Sequence, residues 1–264
     1  MKAVLLKQYG GIEEIFFGKI EKPTPSNDEI LVKVKAASLN RADILQRKGK
    51  YPPPKGASNI LGLEIAGDIV ALGSNVNNWR KDDRIFGIIP GGGYAEYAVI
   101  HKDMAMAIPD NLSYVEATSI PEAFLTAYQA LFLLAKTLPN EKVLVHAGGS
   151  GVGTAAIQLL SHLKTNCIIT ASKSKHSACY ALGTQTCIDY QNEDFHEIIK
   201  NTIGNVNVIV DFIGAPYFQR NIDCLATDGR LVLLALMGGT NISEMNIAKI
   251  VLNRINILGS TLRN

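Results

Sequence analysis

A glycine-rich turn between a buried strand and an amphipathic helix is the part of the sequence with the clearest chemical use. The apolar, β-branched run at 143–145 predicts a central parallel strand. The turn follows it with Gly148, Gly149, Ser150, Gly151, Val152 and Gly153. Glycine lets the backbone approach a phosphate closely, and the N–H groups at a helix start carry partial positive charge. The turn therefore predicts a pyrophosphate site. Because Ser150 breaks the G-x-G-x-x-G spacing, a plain strand-to-helix turn remains the alternative.

The next predicted strand ends without a carboxylate. In NAD-binding sheets of this kind, an acidic side chain about 20 residues after the glycine turn accepts the ribose hydroxyls. Here residues 170–175 read Thr-Ala-Ser-Lys-Ser-Lys. These hydroxyl and ammonium groups would attract a 2′-phosphate that a carboxylate would repel, so the sequence favours NADPH over NADH. Ser172 and Lys175 are the predicted phosphate contacts, and a solvated loop at a helix start is the alternative interpretation.

Composition is that of an ordinary soluble protein, with 264 residues, 47% hydrophobic and 19% charged. The net charge of +2 and the scattered basic residues give no argument for a nucleic-acid partner. The apolar run at the start is too short for a signal peptide, and no stretch approaches a membrane span, which predicts a cytoplasmic protein without a membrane partner. The four cysteines form no C-x-x-C pair, so we expect reduced thiols.

Two different patterns divide the chain into predicted domains at 1–120 and 121–264. Short strand-like runs between Pro and Gly turns fill the first part: Lys2–Leu6, Glu29–Ala37, Glu64–Leu72, Arg84–Ile88 and 94–100. They predict a mostly β, barrel-like domain. Six strands follow at 143–146, 167–171, Thr186–Asp189, Val206–Asp211, 230–236 and Asn256–Gly259. Helices are predicted between them at 153–163, 175–182 and 195–203. This alternation predicts an α/β, doubly wound parallel sheet of the Rossmann type, with its ligand at the carboxyl ends of the strands.

Six blocks spread over the whole chain resemble one protein family. The blocks are Leu39-Asn40-Arg41-Ala42-Asp43, Tyr51-Pro52-Pro53-Pro54, and the stretches at 56–64, 120–127, 146–153 and 236–239. Together they resemble the zinc-free medium-chain quinone oxidoreductases of the zeta-crystallin type. Most members of that family have a glycine at the position of Ser150. A serine at this position resembles the p53-inducible branch of the family. The resemblance implies a GroES-like catalytic domain beside the Rossmann domain, NADPH as cofactor, a quinone or activated enone as substrate, and a homodimer.

The same resemblance argues against a catalytic metal. Zinc-dependent relatives carry a Cys at the position matching Asn40 and a His at the position matching Leu63. An amide and a leucine do not bind zinc, and the four-cysteine lobe of those relatives is also missing. We therefore expect no metal site, and a structural role for Glu64.

The resemblance also implies roles for individual residues. Tyr51 and Ser150 are expected beside the nicotinamide and the substrate, and Asn40 and Asp43 among the polar residues of the catalytic site. The alternatives are a surface loop aromatic for Tyr51, a helix cap for Ser150 and a loop anchor for Asp43. The implied cofactor-binding residues are Thr126, Gly148, Gly149, Ser150, Gly151, Val152, Gly153, Ser172, Lys175, Tyr190, Leu236, Met237, Gly238 and Arg263. His146, at the end of the first Rossmann strand, is interpreted as a satisfied core histidine.

The sequence thus predicts an NADPH-dependent quinone oxidoreductase that transfers a hydride without a metal. Family members continue beyond the position matching Asn264, into a segment that completes the catalytic domain, so we expect this sequence to be truncated. The alternative function is an NADPH-binding protein with little or no turnover, of the crystallin-like, regulatory or pseudoenzyme kind.

Overall fold

Residues 1–262 are described by the computed structural model, and they divide into two units after Glu122, against a predicted boundary after residue 120. The strands are β1 (Lys2–Leu6), β2 (Ile15–Lys19), β3 (Glu29–Ala37), β4 (Glu64–Leu72), β5 (Arg84–Ile88), β6 (Tyr97–His101), β7 (Met106–Ala107), β8 (Lys142–Val145), β9 (Asn166–Ala171), β10 (Thr186–Asp189), β11 (Val206–Asp211), β12 (Leu225–Leu233) and β13 (Asn256–Gly259). The α-helices are α1 (Arg41–Arg47), α2 (Tyr114–Ala117), α3 (Pro121–Tyr128), α4 (Gly151–His162), α5 (His176–Ala181), α6 (Phe195–Ile198), α7 (Ala215–Cys224) and α8 (Ala248–Leu252). Wider π-helical turns extend α3 and α6 over Gln129–Leu134 and Ile199–Ile203.

The first unit is built on a five-stranded antiparallel sheet in the order β6-β3-β4-β5-β7, with β1 and β2 forming a separate hairpin. Both faces of the sheet are covered. Ile65 and Ile85 point into one apolar cluster, while their neighbours Ala66 and Phe86 point into another that includes Ala117 of α2. Because successive side chains of a strand alternate between faces, burial on both sides explains the nearly continuous apolar runs of these strands.

The second unit confirms the predicted doubly wound sheet. Its six strands are all parallel, in the order β10-β9-β8-β11-β12-β13. This is the strand order of dinucleotide-binding folds, with its switch point between β8 and β11. Val143 and Val145 pack into the cluster that contains α4, whereas Leu144 packs into the opposite cluster with α6 and α7. The central strand is therefore buried on both faces, as its β-branched sequence indicates.

The strand bounds differ most from the predictions at β6 and β12, while β8 and β9 each begin one residue earlier than predicted. The strand predicted at 94–100 begins only at Tyr97, because Tyr94 N–H bonds to the carbonyl of Leu61 instead of to a sheet neighbour. The strand predicted at 230–236 ends at Leu233, because the chain then turns to bond with the residues after β11. The prediction also missed the two-residue strand β7, and it missed β2, whose exposed apolar side chains carry no alternating pattern.

Within residues 1–262, no helix has both the length and the apolar character needed to cross a membrane.

Candidate functional site

The glycine-rich turn joins the carboxyl end of β8 to the start of α4. A Cβ on Gly148 would lie 2.5 Å from the Cβ of Ile169, and a Cβ on Gly153 would lie 2.5 Å from the carbonyl oxygen of Ala147. Both glycines are therefore required for close packing of the turn. At Gly151 an added Cβ would meet no atom within 4 Å, so open space lies beside the first residue of α4. Unpaired N–H groups at a helix start beside open space fit a pyrophosphate.

Ser150 caps this helix. Its Oγ accepts a hydrogen bond from the N–H of Gly153 at 3.1 Å. The helix-cap alternative for Ser150 is thus realised, and its role beside the nicotinamide stays a prediction. Ala147, which precedes the turn, has a φ of 50°, in the left-handed region that residues other than glycine seldom adopt. The sequence carried no signal for that strained residue.

The residues predicted to bind the 2′-phosphate follow two neighbouring strands. Ala171 of β9 is paired with Asp189 of β10, so Ser172 and Tyr190 come next on adjacent parallel strands. Lys175 lies in the short turn after Ser172, and its Nζ donates to the carbonyl oxygen of Gly149 at 3.0 Å. The Lys175 ammonium therefore lies against the glycine-rich turn, which places a positive charge at the predicted phosphate-binding edge.

A fourth predicted segment follows β12 at the same edge of the sheet. The N–H groups of Met237 and Gly238 donate to the carbonyls of Phe212 and Ile213 at 3.1 and 2.8 Å. Leu236 is 50% exposed, so this segment presents apolar surface to solvent. Because all strands of the sheet are parallel, the segments after β8, β9, β10 and β12 share one edge.

Two further predicted cofactor-binding residues, Thr126 and Arg263, do not belong to these segments. Thr126 is half-buried on α3, where its neighbour Ala127 packs into the same cluster as Val143. Arg263 lies outside the described residues.

A buried polar chain, which the sequence did not predict beyond His146, lies beneath this edge. His146 Nδ1 lies 3.1 Å from Thr170 Oγ1, and its Nε2 lies 2.8 Å from Asn221 Oδ1. Asn221 Nδ2 donates in turn to Asp211 Oδ2 at 3.2 Å. Burial lowers the pKa of His146 to about 4, and burial raises the pKa of Asp211 to about 6. His146 is therefore a neutral core histidine near pH 7, in agreement with its interpretation.

In the first unit Asp43 acts as an anchor. Its carboxylate accepts hydrogen bonds from the N–H of Asn40 at 2.8 Å, the N–H of Gly62 at 2.9 Å and the hydroxyl of Tyr94 at 2.8 Å. Gly62 has a φ of 99°, and a Cβ there would come within 2.7 Å of Gly93, so only glycine fits. The loop-anchor alternative for Asp43 thus has a direct structural basis, while contact with a substrate stays a prediction.

Glu64 has the structural role that the sequence indicated. It is buried, and Oε1 accepts from Asn40 Nδ2 at 2.7 Å and from the hydroxyl of Ser38. Its second oxygen accepts from the N–H of Glu122 at 2.8 Å. The Asn40 amide thus points a donor at Glu64, and no group of three or more His, Cys, Asp or Glu side chains in residues 1–262 is arranged to hold a metal ion.

Tyr51 also belongs to the first unit. It is half-buried in the loop that follows α1, whereas Asn40 and Asp43 lie at the start of that helix. The structure therefore brings Asn40 and Asp43 together and places Tyr51 in the segment after the other end of α1.

Two sequence models of protein families match the chain. Residues 26–110 match the alcohol dehydrogenase GroES-like domain, which confirms the GroES-like prediction for the first unit. Residues 151–264 match the model described as zinc-binding dehydrogenase.

Individual proteins are also similar to this chain in sequence. The synaptic vesicle membrane protein VAT-1 homolog of Danio rerio is 30% identical over 234 residues, which are 88% of this chain and 48% of that protein. The chain thus spans about half the length of the curated relatives that it matches.

Solved structures match over nearly the whole chain. The quinone oxidoreductase from Coxiella burnetii is 32% identical with a TM-score of 0.85, covering 99% of this chain and 82% of that one. The Escherichia coli quinone oxidoreductase complexed with NADPH is 27% identical with a TM-score of 0.88, covering 100% and 82%. The CurK enoyl reductase is 28% identical with a TM-score of 0.87, covering 99% and 81%.

Proposed function

The chain belongs to the medium-chain dehydrogenase/reductase family, and on that premise we propose that it is an NADPH-dependent quinone oxidoreductase that works without a metal. The observation that carries this proposal is the carboxyl edge of the six-stranded sheet. There an open helix start, the Lys175 ammonium and the segment after β12 lie on the same edge. The likeness to a quinone oxidoreductase complexed with NADPH supports the choice of cofactor. Ser150 supports the p53-inducible branch of the family.

Each part of the edge has a proposed task in holding the dinucleotide. The N–H groups at the start of α4, other than that of Gly153, which Ser150 caps, would bind the pyrophosphate, because a helix start leaves them without an intrahelical partner and open space lies beside Gly151. Lys175 would turn its ammonium from the Gly149 carbonyl toward the 2′-phosphate, with Ser172 and Tyr190 beside it. The backbone of 236–238 and the Thr126 hydroxyl would position the nicotinamide end.

When bound, NADPH would supply a hydride from its nicotinamide ring. The protein groups would then position the quinone and stabilise the charge that develops on its oxygen. We propose Tyr51 and Asn40 as hydrogen-bond donors to that oxygen, on the family resemblance alone. The Ser150 hydroxyl keeps its own proton for donation while its oxygen caps α4. Asp43 would keep the start of α1 in place.

Metal chemistry has no part in the proposal, since the Asn40 amide directs its N–H toward Glu64 where a metal-binding thiolate would be needed. We propose a small-molecule substrate, a cytoplasmic location, and no nucleic-acid or membrane partner.

The substrate class is tested by steady-state oxidation of NADPH in the presence of a chelator. An ortho-quinone and an acyclic enone are compared at equal concentrations. Lys175→Glu is the variant, and Lys200→Glu is its charge-matched control, at an exposed lysine in the turn before β11 and away from the predicted phosphate site. We expect faster turnover with the quinone, a raised KM for NADPH in Lys175→Glu only, and no effect of the chelator. Faster turnover with the enone would instead assign an enoyl reductase activity, which the likeness to CurK favours. Binding of NADPH without turnover of either compound would overturn the enzymatic proposal and leave a nucleotide-binding protein.

A further inference from the structure

The buried polar chain beneath the carboxyl edge of the parallel sheet is a continuous series of hydrogen bonds that all point in the same direction. Asn221 Nδ2 donates to Asp211, so the Asn221 oxygen faces His146 and must accept the Nε2 proton. His146 Nδ1 is then an acceptor for the Thr170 hydroxyl, and Thr170 Oγ1 accepts the N–H of Ala147 at 3.3 Å. Each group donates to the next from Ala147 to Asp211, and His146, Asn221 and Asp211 have no exposed surface.

One end of this chain holds the glycine-rich turn. His146 and Ala147 are the two residues between β8 and Gly148, and Ala147 has the strained φ of 50°. The acceptor that Thr170 provides for the Ala147 N–H helps to keep the backbone in that conformation. Thr170 therefore stabilises the backbone that leads into the glycine-rich turn and the start of α4.

The other end holds the segment predicted to meet the nicotinamide. Asp211 accepts the N–H of Ile213 at 2.7 Å and the N–H of Gly214 at 3.1 Å. The carbonyl of Ile213 accepts from Gly238, and Gly214 forms a bridge with Gly239. Asp211 thus fixes the backbone on which 236–239 rests.

We propose that Asp211, Asn221, His146 and Thr170 are positioning residues that couple the glycine-rich turn to the 236–239 segment, so that ordering of either segment orders the other. Buried polar groups that lose a partner are costly, so a break at one end disturbs the donors and acceptors along the whole chain. The inference deepens the proposed function and rests on it only for the identity of the ligand that the two segments hold.

Hydrogen exchange of the 264-residue chain without any nucleotide tests the coupling. Asp211→Asn replaces one acceptor oxygen at the 236–239 end, and Thr170→Val removes one hydroxyl at the turn end with little change in shape. Asp228→Asn is the matched control, because Asp228 is exposed and pairs only with Arg254 among its side-chain contacts described. We expect Asp211→Asn to accelerate exchange of the Ala147 amide, and Thr170→Val to accelerate exchange of the Met237 and Gly238 amides, each about tenfold. Asp228→Asn should change none of these rates.

Acceleration confined to the mutated end, 212–214 and 237–239 for Asp211→Asn or 147–148 for Thr170→Val, would overturn the coupling. Thr170→Val keeps the test valid if Asp211→Asn does not fold. A parallel titration uses 2′-phospho-ADP-ribose, which lacks the nicotinamide. Its affinity should fall about tenfold in Asp211→Asn, because the distant end disturbs the turn that holds its pyrophosphate. If wild-type protein binds neither this probe nor NADPH, the proposed function fails, whereas the exchange result still decides the coupling.

Discussion

Lys175 is the side chain on which the proposed preference for NADPH depends. Its ammonium already lies 3.0 Å from the Gly149 carbonyl and needs only a rotation of an exposed side chain to meet a 2′-phosphate. Gly149 permits this position, because a Cβ there would lie 2.5 Å from Lys175 Cδ. The spacing of Lys175 from the turn was visible in the sequence, but its contact with Gly149 was not.

We predict that Lys175→Glu weakens NADPH binding by about 2–3 kcal/mol, the worth of a hydrogen bond to a charged group with added repulsion. NADH, which lacks the phosphate, should lose far less affinity. Fluorescence titration of both nucleotides measures the difference, and Lys200→Glu, at an exposed lysine before β11, controls for the change in net charge. Equal losses for NADPH and NADH would show that Lys175 does not contact the phosphate.

His146 gives a prediction about stability and pH. Burial holds its pKa at about 4 in the folded protein, against 6.5 for an ordinary histidine. Between these values the unfolded chain binds a proton that the folded chain does not, so the free energy of unfolding falls as the solution is acidified. Neutral His146 therefore gives its full stability difference, about 3 kcal/mol in the free energy of unfolding, above pH 6.5, and that difference is lost as the pH falls toward 4.

The measurement is urea unfolding of wild type and His146→Gln from pH 7 to pH 4. We expect the wild-type advantage over the variant to shrink by about 3 kcal/mol across that range. The pKa shift of Asp211 has the opposite effect on stability. Because burial raises this pKa from 3.8 to about 6, the free energy of unfolding falls as the pH rises between these two values. The difference between wild type and Asp211→Asn should therefore change in the other direction. A pH-independent difference for His146→Gln would mean that His146 is not buried as a neutral group.

At the scale of elements, α4 joins the sheet to the predicted phosphate site through its first turn. The helix begins at Gly151, Ser150 caps it, and Ala155, Ala156 and Ile157 bury its other face against β8 and β9. Packing therefore fixes the helix axis, while the first turn stays open for a ligand. Phosphate binding and helix packing can be separated by substitution at the glycines.

We predict that Gly151→Ala folds normally and binds NADPH more weakly. The new Cβ meets no protein atom within 4 Å, but it enters the space where the pyrophosphate would lie. Gly259→Ala is the matched control, since an added Cβ there also meets nothing within 4 Å. Gly259 lies on the edge strand β13, which β11 and β12 separate from β8 and the glycine-rich turn. Thermal unfolding and NADPH titration of both variants check the prediction. Unchanged affinity in Gly151→Ala would place the pyrophosphate elsewhere.

Sequence reasoning succeeded for elements whose pattern is local. The bounds of β3, β4, β5, β10, β11 and β13 were predicted as the structure has them, because each strand is an apolar run closed by turn residues. The polar chain could not be predicted, since His146 and Asn221 are 75 residues apart and meet only when β8 and α7 pack on the same sheet. For Glu64 the sequence indicated a structural role but not the partners, since Asn40 and Glu122 are 24 and 58 residues away.

At the scale of the whole molecule, one edge of the parallel sheet bears on the homodimer that the family resemblance implies. Among the described strands of this sheet, β10 and β13 are the two edge strands, and β13 is paired with β12 alone. Apolar side chains on β13 and on the preceding α8 are exposed, with Ile257 at 39% and Leu252 at 77%. An uncovered strand edge with apolar neighbours is suited to pairing with a second copy.

We predict a dimer in solution that Ile257→Lys converts to a monomer, because a charge on the edge strand opposes pairing. Ile15→Lys is the control, since Ile15 is the same residue type on strand β2 of the first unit and is 37% exposed, close to the 39% of Ile257. Light scattering after size-exclusion chromatography gives the mass of each protein. A wild-type monomer, or a dimer that Ile257→Lys leaves intact, would rule out this edge.

The central claim, hydride transfer from bound NADPH to a quinone without a metal, is tested most directly by one titration followed by one addition. Chelator-treated protein is titrated with NADPH and, separately, with NADH, and an ortho-quinone is then added to each complex while nucleotide absorbance is followed. We predict tighter binding of NADPH than of NADH, and loss of the NADPH signal only after the quinone is added. Equal binding of both nucleotides, or a bound NADPH that the quinone never oxidises, would contradict the claim.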